Sequence, residues 1–330
     1  MNKLINEKDK IVQEMVEGYI LSHNNKVVIK GENNNLLCRK YKKKDKVGLV
    51  IGNGSGHEPC MIDLVGFGLL DVNVIGEVFT APTPYQLLEA LKEADCGKGV
   101  LLLVSSHAGD ILNAKMALML AKLENITVKM FVFYDDIASA PKGKEKERRG
   151  TAGLFYTLKI VGAACERGYS LSKCYALAED VRDNTRTIAC ALHSGTNPIT
   201  NKSMFNLNAD EINIGLGVHG EAGQKIQVFE NAKSTVYQMA SSLVDDLPFK
   251  EEDKIFAMIN NSGSTTYSEL MICYKELFKF LKDKNIEIIR NFVGTYVTVQ
   301  ETHGISIVFC KATCEMIELY DDRADSYLFN

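Results

Sequence analysis

The run Val100-Leu101-Leu102-Leu103-Val104 constrains the fold more than any other stretch of the chain. Five apolar residues in succession, without polar alternation, suit a strand covered on both faces, as in a sheet with helices on either side. The run stops at Ser105-Ser106-His107-Ala108-Gly109-Asp110, and residues 111–123 then show helical periodicity. The same order recurs. Residues 47–51 end at Gly52-Asn53-Gly54-Ser55-Gly56-His57-Glu58-Pro59, where Pro59 is placed to start a helix over 61–70. Strand-like residues 72–79 close at Thr80-Ala81-Pro82-Thr83-Pro84 before a helix over 84–94, and residues 126–134 end at Asp135-Asp136. Strands emptying into loops and then helices predict an α/β sheet with its ligand site at the strands' carboxyl ends. By that rule His57, Asp110 and Asp135 face one crevice.

Before this series, residues 1–22 suggest an amphipathic lead-in helix and 27–29 a short strand. After it come helices over 153–167 and 170–183, the second opened by a Ser170 cap. Strands at 187–192, 212–216, 254–260, 286–293, 305–311 and 316–320 alternate with helices over 233–244 and 268–281. A length of 330 residues exceeds one typical domain. The reading is therefore two α/β domains, 1–186 and 187–330, each a mixed or mostly parallel sheet flanked by helices.

Composition removes several classes of function. Lys and Arg total 38 against 42 for Asp and Glu, a net charge of −4, and the basic runs are short, which argues against direct nucleic-acid binding. The amino terminus lacks an uninterrupted apolar core, and no segment approaches the roughly 20 apolar residues that span a bilayer. Neither a signal peptide nor a membrane anchor is expected. The nine cysteines, among them Cys165, Cys190, Cys273 and Cys310 in apolar runs, read as buried reduced thiols of a cytoplasmic protein. They lack the paired close spacing of a zinc site, so no metal is expected.

Two glycine-rich loops carry the chemistry. In the first, a dinucleotide fingerprint fails because His57 stands where a third glycine is needed, and a nucleophile elbow on Ser55 fails because Asn53 and His57 flank it. What remains is a nest of backbone N–H groups from Gly54, Ser55 and Gly56, suited to a hydroxyl, carbonyl or anion, with His57 and Glu58 at its mouth. The second loop, Gly215-Leu-Gly-Val-His219-Gly-Glu-Ala-Gly223, sets one imidazole among four glycines where a strand ends. A plain glycine-rich turn is the simpler reading of it. Asp110 also suits a helix N-cap. Residues 142–147 read as a charged, mobile surface loop, and Arg148-Arg149 as an anion receiver or a surface salt-bridge pair.

Gly54-Ser-Gly-His-Glu-Pro59, Gly109-Asp-Ile-Leu-Asn113, Arg148-Arg149-Gly150 and Gly217-Val-His-Gly-Glu221, in that order, resemble the substrate-binding subunit of dihydroxyacetone kinases. The likeness extends through Val161-Gly162-Ala163-Ala164, Glu166-Arg167-Gly168, Asn260-Asn261 and Gly294-Thr295-Tyr296. It implies a two-domain homodimer in which His219 adds through a ring nitrogen to the ketone of dihydroxyacetone, forming a hemiaminal. A neutral imidazole is nucleophilic enough for this. The resemblance gives His57 and Asp110 hydrogen bonds to the substrate hydroxyls and a part in proton transfer. It places nucleotide and magnesium, or a bound ADP, on a separate subunit, so no cofactor is expected in this chain.

The departures from the family are selective. Ser105-Ser106-His107-Ala108 replaces Lys-Asn-Tyr-Thr, so a lysine that contacts substrate is absent at Ser105, and a cation there would also stabilise a transferring phosphoryl group. Ala81 replaces a serine, and the ending Asp321-Asp322-Arg323-Ala324 lacks the family's proline. Loss around the transfer chemistry with retention of the ketone-holding residues resembles the family's co-activator paralogue. That paralogue binds dihydroxyacetone and then associates with a TetR-type transcription regulator of the kinase operon. The alternative is an active substrate-binding subunit, working with a nucleotide-binding kinase subunit, in which His107 or another residue replaces the lysine.

Overall fold

The computed structural model of the protein describes residues 2–329. In chain order its elements are α1 (Ile11–His23), β1 (Val27–Lys30), β2 (Leu36–Arg39), β3 (Gly48–Ser55), β4 (Val72–Val78), α2 (Pro84–Ala94), β5 (Val100–Ser105), α3 (Ala108–Leu123), β6 (Val128–Phe133), α4 (Leu154–Glu166) and α5 (Leu171–Asp183). The series continues with β7 (Thr185–His193), β8 (Glu211–Ile214), β9 (Lys225–Val228), α6 (Ala232–Asp246), β10 (Lys254–Asn261), α7 (Tyr267–Asp283), β11 (Glu287–Gly294), β12 (His303–Lys311) and α8 (Cys314–Asp321). The α/β expectation holds, with two six-stranded sheets.

The first sheet runs β1-β2-β4-β3-β5-β6, parallel from β4 to β6 and antiparallel at the β1–β2 end. Val100 to Val104 of β5 are buried, as their unbroken apolar run requires. Leu87, Leu91 and Ala94 of α2 and Ala114, Ala117 and Ala121 of α3 pack on this sheet through a common core. Thr83 opens α2 with a capping box to Gln86, and Pro84 occupies the first turn where it forfeits no helical bond.

The second sheet runs β11-β10-β12-β7-β8-β9; β10–β11 is parallel and the other pairs antiparallel. Val236, Met239, Ala240 and Leu243 of α6 and Leu270, Leu277 and Leu281 of α7 cover it. It is mixed rather than mostly parallel, because short hairpin-like connections such as β8–β9 can only join antiparallel neighbours.

The chain does not divide at one point near residue 187. One unit holds Lys3–Phe133, Phe155–Val181 and the chain from Glu315 onward; the other holds Tyr134–Leu154 and Arg182–Cys314. Beyond β6 the backbone pairs with β7 instead, through a parallel bridge from Asp136 to Thr187. At the carboxyl end, Arg167 forms a two-bond ion pair with Asp322 at 2.6 and 2.8 Å, and Lys159 donates to the Asp322 carbonyl at 2.8 Å, which fastens the last helix to α4 of the first unit.

Several local expectations are corrected. Residues 61–70 form no long helix but a single 3-10 turn at Ile62–Leu64, since Met61 at φ +64° and Gly68 at φ +70° take left-handed backbone that a right-handed helix cannot include. Residues 316–320 are helical, not a strand: Met316, Leu319 and Tyr320 are buried at helical spacing. β2 and β9 had no expected counterpart. Of the cysteines, Cys165, Cys190 and Cys310 are buried, but Cys273 is half-buried and Cys314 exposed; all nine are free thiols. Among the described residues no helix is long and apolar enough to cross a membrane.

Candidate functional site

His219 lies just past β8, in a turn closed by Gly220 N donating to the Gly217 carbonyl at 3.1 Å and Gly217 N to the Glu221 carbonyl at 3.1 Å. The turn folds Glu221 back on the histidine. One carboxylate oxygen accepts from the His219 backbone N at 2.7 Å, and the other lies 3.2 Å from His219 Nδ1. Burial would raise the Glu221 carboxyl, but the bonds from the His219 ring and backbone overcome it and hold the group down at about 2. Glu221 is therefore an ionised acceptor at neutral pH. It cannot donate, so in the neutral ring the proton sits on Nδ1 and the lone pair on Nε2.

Behind Glu221 stands Arg149. Its Nη1 is 3.7 Å from Glu221 Oε2, while Nε and Nη2 meet Asp136 Oδ2 at 2.9 and 2.6 Å. Burial raises the Asp136 carboxyl to about 6 against the pull of Arg149. A Cβ on Gly217 would collide with Arg149 Nη1 and Glu221 Oε2, so only glycine lets these two groups approach here. Arg148 is buried, not a surface residue, and pairs with Asp246. Asp135 faces no crevice: it is wholly buried and accepts from Thr151 N (2.6 Å), Thr151 Oγ1 (2.9 Å), Gly153 N (2.8 Å) and the Thr187 hydroxyl.

The other candidate residues belong to the first-sheet unit. β3 extends further than its apolar run, through Gly54 and Ser55. Ser55 Oγ donates to the Gly76 carbonyl at 2.6 Å, which ties β3 to β4. Gly56 N donates to both oxygens of Glu58 at 3.0 Å, so this N–H of the nest is already occupied, and burial pushes the Glu58 carboxyl up despite that bond. Gly56 has φ +109° and lies against the Phe79 ring, whose centroid is 5.3 Å from that of His57. Ser105 is the buried last residue of β5, and its carbonyl accepts from His107 N at 2.7 Å.

His107, not Asp110, occupies the N-cap position of α3. Asp110 lies inside the first helical turn, where its charge complements the helix N-terminus. A Cβ on Gly109 would sit 3.6 Å from that of Ala81, so the Ala81 position flanks the start of this helix. Sequence reasoning placed His219 correctly in a loop past a strand end, but it opened the first glycine loop at Gly52, where the chain continues as β3 to Ser55. It assigned no role to Glu221 or Asp136, and it read Arg149 as an anion receiver or a surface salt-bridge residue, whereas the guanidinium pairs with Asp136 and Glu221.

The chain belongs to the Dak1 domain family, whose model matches residues 17–328. A Listeria innocua protein, the PTS-dependent dihydroxyacetone kinase 1 dihydroxyacetone-binding subunit DhaK, is 38% identical over 314 residues, 94% of each chain. The Escherichia coli PEP-dependent counterpart is 31% identical, with 97% of each chain covered. Among solved structures, the dihydroxyacetone kinase operon co-activator Dha-DhaQ superposes with a TM-score of 0.91 at 26% identity, covering 97% of this chain and 98% of that one. The dihydroxyacetone kinase of C. freundii in its native form gives 0.92 at 26% identity, with 99% of this chain and 60% of that one covered.

Proposed function

We propose that this chain captures dihydroxyacetone covalently through His219. The ligand-loaded form then acts as a co-activator by associating with a TetR-type regulator of the kinase operon. The observation that carries the capture is the Glu221 carboxylate on His219 Nδ1, which leaves Nε2 as the nucleophile. The Nε2 lone pair forms the bond to the carbonyl carbon, and the carbonyl π pair moves to oxygen, which takes up a proton. Release of the Nδ1 proton to solvent then leaves a neutral hemiaminal, so the proton count is unchanged. Glu221 balances the charge that the ring carries in between. By the family resemblance His57 and Asp110 bond the ligand hydroxyls and supply the proton, alongside the Gly54–Gly56 backbone.

The name of the L. innocua relative, a dihydroxyacetone-binding subunit, supports the ligand, and that of the co-activator neighbour supports the regulatory role. Ser105, where the family has lysine, separates holding the ketone from phosphorylating it, because no cation stands at that position for the transferring group. A second reading, an active kinase subunit, is favoured by relatives that are themselves kinase subunits. The two diverge in one assay. Mixed with a nucleotide-loaded kinase subunit, this chain should form the ketone adduct in intact-protein mass spectra without turnover to a phosphate ester. Rapid phosphorylation would overturn the co-activator role. A homodimer is the expected assembly.

A further inference from the structure

We propose that Arg149, fixed by Asp136, is a positioning residue that holds His219 in its nucleophilic tautomer by way of Glu221, an inference that rests on the capture chemistry above. Glu221 is 36% exposed, and a carboxylate so open to water would ordinarily change rotamer freely. Here it is met on one side by the His219 backbone N–H and on the other by Arg149 Nη1. Arg149 itself has little freedom. Its guanidinium binds Asp136 through two nitrogens and reaches the Gly215 carbonyl at 3.3 Å.

Its backbone is fixed as well. Arg149 N donates to Ser139 Oγ at 2.9 Å, and its carbonyl accepts from Asp135 N at 3.0 Å and Asp136 N at 3.2 Å. Ser139 Oγ in turn donates to the Asp136 carbonyl at 2.8 Å. The segment 135–139 thus forms a rigid seat for the guanidinium, and the guanidinium reaches both the end of β8 and the carboxylate on His219. Two features show that the approach is built in. Gly217 lacks the Cβ that would fill the space between Arg149 and Glu221. Asp136 is 4% exposed, and its charge is held in the interior by Arg149 together with the Ala138 backbone N–H at 2.9 Å. Lysine at 149 could supply the charge but not the planar fork that binds Asp136, Gly215 and Glu221 together.

The test uses the full chain with ¹⁵N-labelled histidine and long-range ¹H–¹⁵N spectra, without ligand, followed by the rate of adduct formation with dihydroxyacetone. Neutral His219 of the parent should carry its proton on Nδ1. In Arg149→Met the Nε2–H form should become the major one and adduct formation should slow by about fivefold, the upper scale of a partly exposed ion pair. Arg149→Lys should recover only part of the rate. Gly217→Ala, which forces Arg149 and Glu221 apart while leaving both in place, should shift the tautomer likewise and carries the test if Arg149→Met does not fold. An unchanged His219 tautomer in the folded variants would overturn the proposal. A shifted tautomer in a protein whose parent captures no ketone would uphold the positioning role and instead refute the capture reading.

Discussion

Arg148 and Asp246 form a two-bond ion pair, Nη1 to Oδ1 at 2.8 Å and Nη2 to Oδ2 at 2.6 Å, in which the arginine side chain is only 1% exposed. Asp246 also accepts from Arg186 Nε at 2.5 Å, and Arg148 Nε from its other edge donates to the Ala140 carbonyl at 3.0 Å. One carboxylate at the end of α6 therefore bridges two arginines. Replacing Asp246 by Ala leaves a buried guanidinium without a counter-charge, at a cost of about 3–5 kcal/mol. Chemical denaturation should show that loss, and a smaller one for Arg186→Ala, which leaves the Arg148 pair intact. Equal losses would mean that the Arg148 charge is compensated elsewhere.

Lys159 gives a test at alkaline pH. The side chain is 3% exposed, and burial depresses its ammonium to about 8, although the carboxylates of Asp322 and Asp321 pull the other way. An unfolded lysine titrates near 10.5. Below pH 8 both states are protonated and the difference is constant. Between pH 8 and 10.5 the unfolded state binds more protons than the folded one, so this group adds stability as pH rises. Lys159→Met removes that contribution. The stability of the parent relative to Lys159→Met should increase from pH 8 to pH 10.5 in parallel denaturant titrations, and a flat difference would contradict the assignment.

Glu221→Gln removes the ionised acceptor while preserving size. The ring of His219 is then free to take either neutral tautomer, and the rate of ketone capture should fall by at least about tenfold, as expected where a histidine loses the carboxylate that orients it. His219→Ala should abolish the adduct entirely. A mass spectrum of His219→Ala still carrying the ligand would place the covalent bond on another residue.

Ser105→Lys restores the cation that the family carries at the end of β5. Combined with a nucleotide-loaded kinase subunit, this variant should turn over dihydroxyacetone to its phosphate where the parent does not. Substantial turnover by the parent would make the lysine dispensable and favour the kinase reading.

The elements that the sequence disclosed are those whose pattern is fixed by local burial. β5 and β10 are unbroken apolar runs because both faces are covered, and α7 shows its amphipathic stripe and its Thr266–Glu269 capping box. β9 was not legible because its residues face solvent along a sheet edge, and α8 because five residues with two apolar clusters fit a strand as well as a helix. The glycine loop around His219 was legible for the same local reason, since four glycines in nine residues have few other uses. Arg149 was not, because its meeting with Glu221 joins segments about 70 residues apart, a pairing that no periodicity records, and Asp136 takes part only through Arg149.

The interleaved path of the chain bears on how the protein can be taken apart. Because α4, most of α5 and the residues after Cys314 complete the unit that begins at Lys3, while Tyr134–Leu154 completes the other, any single cut that keeps one unit whole strands pieces of its neighbour. Dissection at the level of the gene therefore calls for splicing segments together, with short loops bridging the removed stretches, instead of truncation.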